Sequence, residues 1–355
     1  MNNYLEILTG IKPLRQEVMA EAWRRLDSLI KPIGSLGRLE EIAAQISGIT
    51  GRVRNEIAKK CIVVMAADNG VCAEGVSSCP KEITAIQTLN FVRGIAGVNV
   101  LAGVAGAELR IVDIGIDAEL ANPGIIDCKI RRGTSNMAQG PAMSRAEAVR
   151  GIEAGIAIVA QLADEGYNLL GTGEMGAGNT STSSAILMAF TGCDAETAVG
   201  KGAGLTDPDF AKKKAVITTA LIVNQPDRND PLDVLAKVGG FDIAGLVGCY
   251  LGAAYYRIPI VIDGFIAAAA ALTAVRLNPL VKDYLIASHA SAEPGFRRLM
   301  QELGMEAAFN LQMRLGEGTG CALGFQVIEA ALAVMNRMGT FAEMNMANDF
   351  LVDIR

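Results

Sequence analysis

Five apolar runs, at residues 61–67, 109–116, 168–171, 258–262 and 284–288, are separated by segments with helical spacing, and this alternation constrains the fold more than any other feature. The run from Cys61 to Ala67 shows no apolar–polar alternation, so it reads as a strand buried on both faces. Strands alternating with helices imply a parallel sheet covered by helices on both sides, an α/β Rossmann-like architecture. In such sheets ligands gather at the carboxyl ends of the strands. Those ends hold Asp68 and Asn69, Asp113, Glu174, Asp263, Ser288 and His289. One such acid can serve only to cap the next helix. Several converging on one edge predict a single site across it.

The most informative of these ends is the stretch from Gly171 to Ser184, which carries Glu174, Met175, Gly176, Gly178, Asn179 and Thr180. It reads as the turn between a buried strand and a helix. Its glycines permit close approach of backbone to a ligand, and the following hydroxyls and amides sit where a helix exposes unpaired N–H groups. That is a phosphate or ribose site in outline. The stretch matches neither the Walker pattern nor the dinucleotide fingerprint, and close packing of helix on sheet is the competing explanation. A second glycine-rich turn, Gly200 to Leu205, precedes Lys212, Lys213 and Lys214, which read as solvated helix lysines unless one turns inward.

Near the C-terminus, Glu317 stands between Gly316 and Gly318 at the mouth of an apolar helix. Partial desolvation there would raise its pKa into the range of a general base. Interaction with the helix dipole is the alternative. Residues 1–60 look helical, with Lys31 to Arg38 forming an interhelical loop in which Ser35 is placed to cap the following helix; a basic contact from this loop to an anionic ligand is the alternative.

With 355 residues and 51% hydrophobic content, the chain can bury a substantial core without staples. A net charge of −6 supplies no basic field for nucleic acid. The seven cysteines include no Cys-x-x-Cys pair and read as free thiols in a reducing cytoplasm. With His289 as the sole histidine, zinc chemistry and a Ser-His or Cys-His nucleophile system are disfavoured, and no metal or cofactor is expected. Residues 1–10 lack the basic and apolar regions of a signal peptide. Residues 243–275 are nearly all apolar, but Arg257, Pro259 and Asp263 leave no run long enough for a bilayer.

Taken in order, several short motifs resemble the nicotinate-nucleotide:dimethylbenzimidazole phosphoribosyltransferase family. They are Lys31-Pro32 with Gly34-Ser35-Leu36-Gly37, Asp68-Asn69-Gly70, Glu74-Gly75-Val76-Ser77 and Gly173-Glu174-Met175-Gly176 with Asn179-Thr180. Farther along come Gly239-Gly240-Phe241-Asp242, Asp263-Gly264-Phe265, Ser288-His289 with Ser291-Ala292-Glu293, and Arg314-Leu315-Gly316-Glu317-Gly318.

The resemblance implies transfer of phosphoribose from nicotinate mononucleotide to the lower-ligand base of a cobamide, releasing nicotinate and forming an α-ribotide. It implies a Rossmann-like sheet (residues 61–320) with a smaller helical domain built from both chain ends (residues 1–60 and 321–355), working as a dimer. By the same resemblance Glu317 is the general base, Glu174 lies against the nucleotide, and Gly176, Gly202 and Gly204 line the phosphate region. Lys213, Asp263 and Ser291 match polar positions near the nucleotide, Ser78 and Gln87 fall where the incoming base is received, and Met175 and Leu315 are candidate walls for its flat ring. Gly178, Asn179 and Thr180 complete the substrate-binding set. The identity of the base, whether benzimidazole, purine or phenol, and the choice between a homodimer and a heterodimer with a paralogue stay open. A catalytically silent subunit is a further alternative, as is an NAD-type oxidoreductase, which the missing Gly-x-Gly-x-x-Gly opening disfavours.

Overall fold

A computed structural model describes residues 4–347 and 351–355. The first three residues of the amino-terminal segment, and 348–350 near the other end, lie outside the described residues.

The chain begins with three helices, α1 (Tyr4–Gly10), α2 (Gln16–Ser28) and α3 (Arg38–Thr50), and enters the sheet through β1 (Lys60–Ala67). Helices α4 (Ile83–Arg93) and α5 (Gly97–Ala105) precede β2 (Glu108–Gly115) and the short β3 (Ile125–Asp127). Helix α6 (Arg145–Asp164) leads to β4 (Leu169–Met175), which is followed by α7 (Asn179–Thr191), α8 (Ala195–Ala198), α9 (Asp207–Asn224), α10 (Pro231–Val238) and α11 (Phe241–Tyr256). The remainder is β5 (Ile260–Ile262), α12 (Phe265–Leu277), β6 (Leu285–Ala287), α13 (Pro294–Leu303) and α14 (Thr319–Arg337).

All six strands pair in parallel in the order β3-β2-β1-β4-β5-β6. This is the doubly wound order whose direction reverses between β1 and β4, where a crevice opens at the carboxyl ends. Five of the strands fall on the apolar runs. The three-residue β3 carries too short an apolar signal to be read from sequence.

Strand β1 shows how the two cores arise. Successive side chains point to opposite faces, and the unbroken apolar run feeds both. Cys61, Val63, Met65 and Ala67 join the core beneath α6, α11 and α12, whereas Ile62 and Val64 join a second core with α2, α3, α5 and α14. Each aliphatic side chain removed from water contributes about 1.5–3 kcal/mol, so a strand serving two cores anchors the sheet. Helices from the two chain ends, α2, α3 and α14, share that second core with the sheet's own residues. Helix α14 is long and apolar enough by composition to cross a membrane, yet Cys321, Phe325 and Ile328 pack it onto the sheet. The alanines 267–271 of α12 are all buried, which lets that helix lie close against its neighbours.

Three local expectations are corrected. Ser35 does not cap α3: the N-cap is Gly37 at φ 48°, without a side-chain cap, and the Glu40 carboxylate reaches back to the Leu36 N–H instead at 2.9 Å. Lys31 in the same loop is buried and ion-paired with Glu40 at 2.8 Å, which accounts for its charge without an external anion. The stretch read as a turn from Gly171 is still strand as far as Met175, with Met65 opposite Glu174 and Ala66 opposite Met175. Alternate glycines in a strand mark a face that another segment approaches closely. Here α14 and the loop before it lie over Gly171 and Gly173.

Candidate active site

At the carboxyl edge of the sheet a cavity of about 320 Å³ opens beside the β1/β4 reversal. Its wall includes Glu174 and Met175 from the end of β4, then Gly176, Gly178, Asn179 and Thr180 from the turn into α7. Gln87 of α4, Gly202, Ser291, Leu315 and Glu317 complete the set of anticipated residues that reach it. Four others do not line it. Ser78 lies between the lining residues Ser77 and Cys79, and Gly204 follows the lining pair Gly202 and Ala203. Lys213 and Asp263 are buried behind the wall. His289, anticipated at this edge as a strand-end polar residue, faces the cavity, and so do Ile83, Phe265, Glu293 and Arg314, which were not anticipated as binding groups. The resemblance motifs contained the last three, but nothing in their spacing separated a wall residue from a packing one.

Glu317 is held in a conformation that its neighbours make possible. Gly316, Glu317 and Gly318 have φ of 83°, 64° and 98°, three successive left-handed residues, and only the middle one bears a side chain. Glycine occupies that region without penalty, whereas a glutamate there stores strain of order 1 kcal/mol or more. The turn aims the Glu317 carboxylate at α4 and α5. There it accepts from Gln87 Nε2 at 2.6 Å and from the Val98 N–H at 3.2 Å. Burial pushes the Glu317 pKa up, while those two donors pull against the rise.

Glu174 is more deeply enclosed. Asn179 donates from Nδ2 to Glu174 Oε2 and, at 3.1 Å, to Asp242 Oδ2. Burial first, then the nearby carboxylates Asp242 and Asp263, push the Glu174 pKa up to about 8. Desolvation disfavours the charged form of an acid, and each neighbouring negative charge adds to that cost.

Asp263 braces the loop rather than the cavity. Its two oxygens accept from the N–H groups of Gly318 at 2.9 Å and Gly320 at 2.6 Å, at the amino end of α14 where unpaired donors cluster. His289 Nδ1 stands 3.9 Å from Asp263 Oδ1 and 3.2 Å from Ser288 Oγ. Burial lowers its pKa, and the Asp263 carboxylate opposes that shift. Its Nε2 has no hydrogen-bond partner among the described residues.

Behind the cavity wall, Lys213 Nζ donates to Thr180 Oγ1 at 2.8 Å and to the Gly200 carbonyl at 3.0 Å. Burial lowers its pKa to about 8, opposed by the Glu293 carboxylate. Thr180, the Gly176–Gly178 turn and the start of α7 therefore form a polar pocket backed by an ammonium group.

Among the described residues no group of three or more His, Cys, Asp and Glu side chains is arranged to hold a metal ion. What the wall does offer is one acid held by two donors, a second acid that burial and neighbouring carboxylates bias toward its protonated form, and an amide-rich turn with a cation behind it. That is equipment for moving a proton from one group, stabilising positive charge at another and holding an anion at a third.

A family model described as phosphoribosyltransferase matches residues 11–346. The chain is 54% identical over 339 residues to a nicotinate-nucleotide–dimethylbenzimidazole phosphoribosyltransferase of Clostridium acetobutylicum, with 96% of each chain covered. It is 53% identical over 351 residues to the protein of that name from Clostridium tetani, covering 99% of this chain and 97% of the relative. It matches the crystal structure of CobT from Thermus thermophilus with a TM-score of 0.90 at 39% identity, over 94% of this chain and 99% of that one. A match of this length, on a sheet of this order, establishes that the chain belongs to the nicotinate-nucleotide–dimethylbenzimidazole phosphoribosyltransferase family and is a phosphoribosyltransferase.

Proposed function

We propose that this chain transfers phosphoribose from nicotinate mononucleotide to an aromatic lower-ligand base such as dimethylbenzimidazole, with Glu317 as the general base. The observation that carries it is the presence of Glu317 and Glu174 on the wall of one 320 Å³ cavity, with Gln87 and Val98 orienting the first.

The chemistry suits these groups. Nicotinate is a pyridinium when attached to ribose and leaves as a neutral ring, so its departure needs no acid. Positive charge develops on the ribose carbon as that bond breaks, and an ionised Glu174 beneath it would stabilise that charge. The incoming azole attacks through a nitrogen lone pair while its other ring N–H gives its proton to Glu317, leaving an uncharged ring on the ribotide. The nucleotide phosphate is assigned to the Gly176–Gly178 turn, Thr180 and Gly202, with Lys213 behind them; Gly204 and Ser291 lie next to that region. Met175, Leu315 and Gln87 flank the ring of the incoming base, with Ser78 in the adjoining loop.

Incubating the purified chain with nicotinate mononucleotide and dimethylbenzimidazole tests this directly. Release of nicotinate with formation of the α-ribotide is expected, and absence of both refutes the proposal. Offering dimethylbenzimidazole, adenine and p-cresol together, with products resolved by mass, identifies the preferred base. In this account the enzyme acts in the cytoplasm as a dimer, a second copy covering the apolar side chains Ile86, Val100 and Val104 that α4 and α5 leave exposed.

A further inference from the structure

Three acids but a single lysine or arginine face the cavity: Glu174, Glu293 and Glu317 against Arg314. Lys213 stands behind the wall, occupied by Thr180 and the Gly200 carbonyl. Arg314 is exposed, and among the described residues its guanidinium makes no hydrogen bond and no ion pair. Its placement follows from the chain beside it. The N–H groups of Ala290 and Ala292 donate to the carbonyls of Phe309 at 2.8 Å and Met313 at 3.0 Å, so the segment leading to Arg314 runs along the segment leading to Glu293. Burial pushes the Glu293 pKa up, and Lys213 and then Arg314 oppose that rise. Beyond Arg314 the loop crosses the cavity. Gly316 lies against Glu174 Oε1, and Glu317 turns to Gln87 and Val98. Arg314 and Glu317 are thus the two ends of one short loop, with Glu174 against the residue between them.

Nicotinate mononucleotide carries two anionic groups. Its phosphate is provided for by the Gly176–Gly178 turn and Lys213. The ring carboxylate has no other cation on the wall than Arg314, and near Glu293 or Glu317 alone it would be repelled. Stereochemistry places it at the same end. The nucleotide is a β-glycoside and the product an α-ribotide, so the incoming base attacks from the face opposite the departing ring. Gln87 and Glu317 receive the incoming base, which leaves the Arg314 end of the loop to the departing one.

We propose that Arg314 is a specificity-determining residue: its guanidinium pairs with the carboxylate of the nicotinate ring and selects the acid nucleotide over nicotinamide mononucleotide. The role rests on the reading of this cavity as the nicotinate mononucleotide site. A planar guanidinium offers a carboxylate two parallel N–H donors, whereas a neutral amide presents one acceptor and an NH2 group that the same fork cannot use. Glu293 attracts Arg314 toward the wall without forming an ion pair with it, so the donors stay free for the ligand.

Dissociation constants of nicotinate mononucleotide and nicotinamide mononucleotide, measured by titration calorimetry on the full chain, test this. Wild type is expected to favour the acid by about tenfold to a hundredfold, the range of one charge-assisted pair. Arg314→Met keeps much of the side chain's length and removes its charge, and the preference falls toward unity. Arg314→Lys keeps the charge and retains part of the preference. Both ligands are titrated into one preparation, so any loss of folded protein bears on both alike. A wild type that binds the two equally overturns the proposal. So does an Arg314→Met variant that weakens both by the same factor, as a contact to the phosphate would, or one that keeps the full preference. Failure of the transferase reading shows elsewhere: wild type then forms no α-ribotide from nicotinate mononucleotide and dimethylbenzimidazole, and this proposal falls with it. Failure of the Arg314 role alone leaves that turnover intact.

Discussion

The main-chain N–H of Glu317 donates to Glu174 Oε1 at 3.4 Å, so two acids 143 residues apart in sequence are joined backbone to side chain. Their separation is set by the sheet and by the left-handed turn before α14, not by the rotamers of two exposed side chains. Glu317→Gln keeps the shape of the turn and removes the carboxylate. Turnover is expected to fall by about two to four orders of magnitude, with nicotinate mononucleotide binding retained. Single-turnover kinetics together with a binding isotherm check this, and undiminished turnover would remove Glu317 from its role.

Gln87 holds Glu317 by a 2.6 Å hydrogen bond to the carboxylate. A donor to the ionised form lowers a carboxyl pKa, so Gln87→Leu lets the Glu317 pKa rise further above its ordinary value. A base with a higher pKa is protonated at a higher pH. The acid limb of kcat is therefore expected to move upward in the variant, and a pH–rate profile run with saturating dimethylbenzimidazole reads the shift.

Strand β4 and the Glu317 turn meet at Gly173. A Cβ there would collide with the carbonyl oxygen of Glu317, and backbone cannot yield as a flexible side chain can. Gly173→Ala should cost about 1–3 kcal/mol of stability and displace the Glu317 carboxylate from Gln87. A reduced kcat alongside a lowered Tm is the expected pair of results. A fully active, fully stable variant would show that the turn relaxes freely.

Much of this site was legible before any coordinates. Apolar runs announced a parallel sheet, and acids at the run ends announced which edge to inspect, because several carboxylates gathered at strand ends exceed what helix capping needs. What stayed hidden has a common cause. Gly171 and Gly173 look like loop residues by composition, and only the approach of α14 reveals them as strand. Ser35 resembles a cap until the left-handed Gly37 takes that position. Asp242 is held by Asn179, distant in sequence, and local spacing carries no record of a tertiary hydrogen bond.

Val100 and Val104 lie one turn apart on α5 and expose 61% and 72% of their surface. Aliphatic groups left that open on the helix whose first turn holds Glu317 suit a subunit contact. Val104→Arg is expected to shift the protein from dimer to monomer in sedimentation velocity. A wild type that already sediments as a monomer would dispose of the dimer.

The last expectation concerns stability instead of rate. Glu174 has a folded-state pKa near 8 against an ordinary value of 4.5. Below about pH 4.5 the group is neutral in both folded and unfolded chains, so it contributes no pH dependence. Between about 4.5 and 8 the unfolded chain releases a proton that the folded protein retains. Protons bound in the native state then exceed those bound in the unfolded state, and stability falls as pH rises, by at most about 1.4 kcal/mol per pH unit from this group. Glu174→Gln has no proton to retain. The Tm of the variant relative to wild type should therefore be constant below about pH 4.5, climb through neutrality and level off above about pH 8. Calorimetry across that interval, without substrate, measures the difference. A Tm gap independent of pH would mean that Glu174 titrates as an ordinary carboxyl and is ionised well before nucleotide arrives.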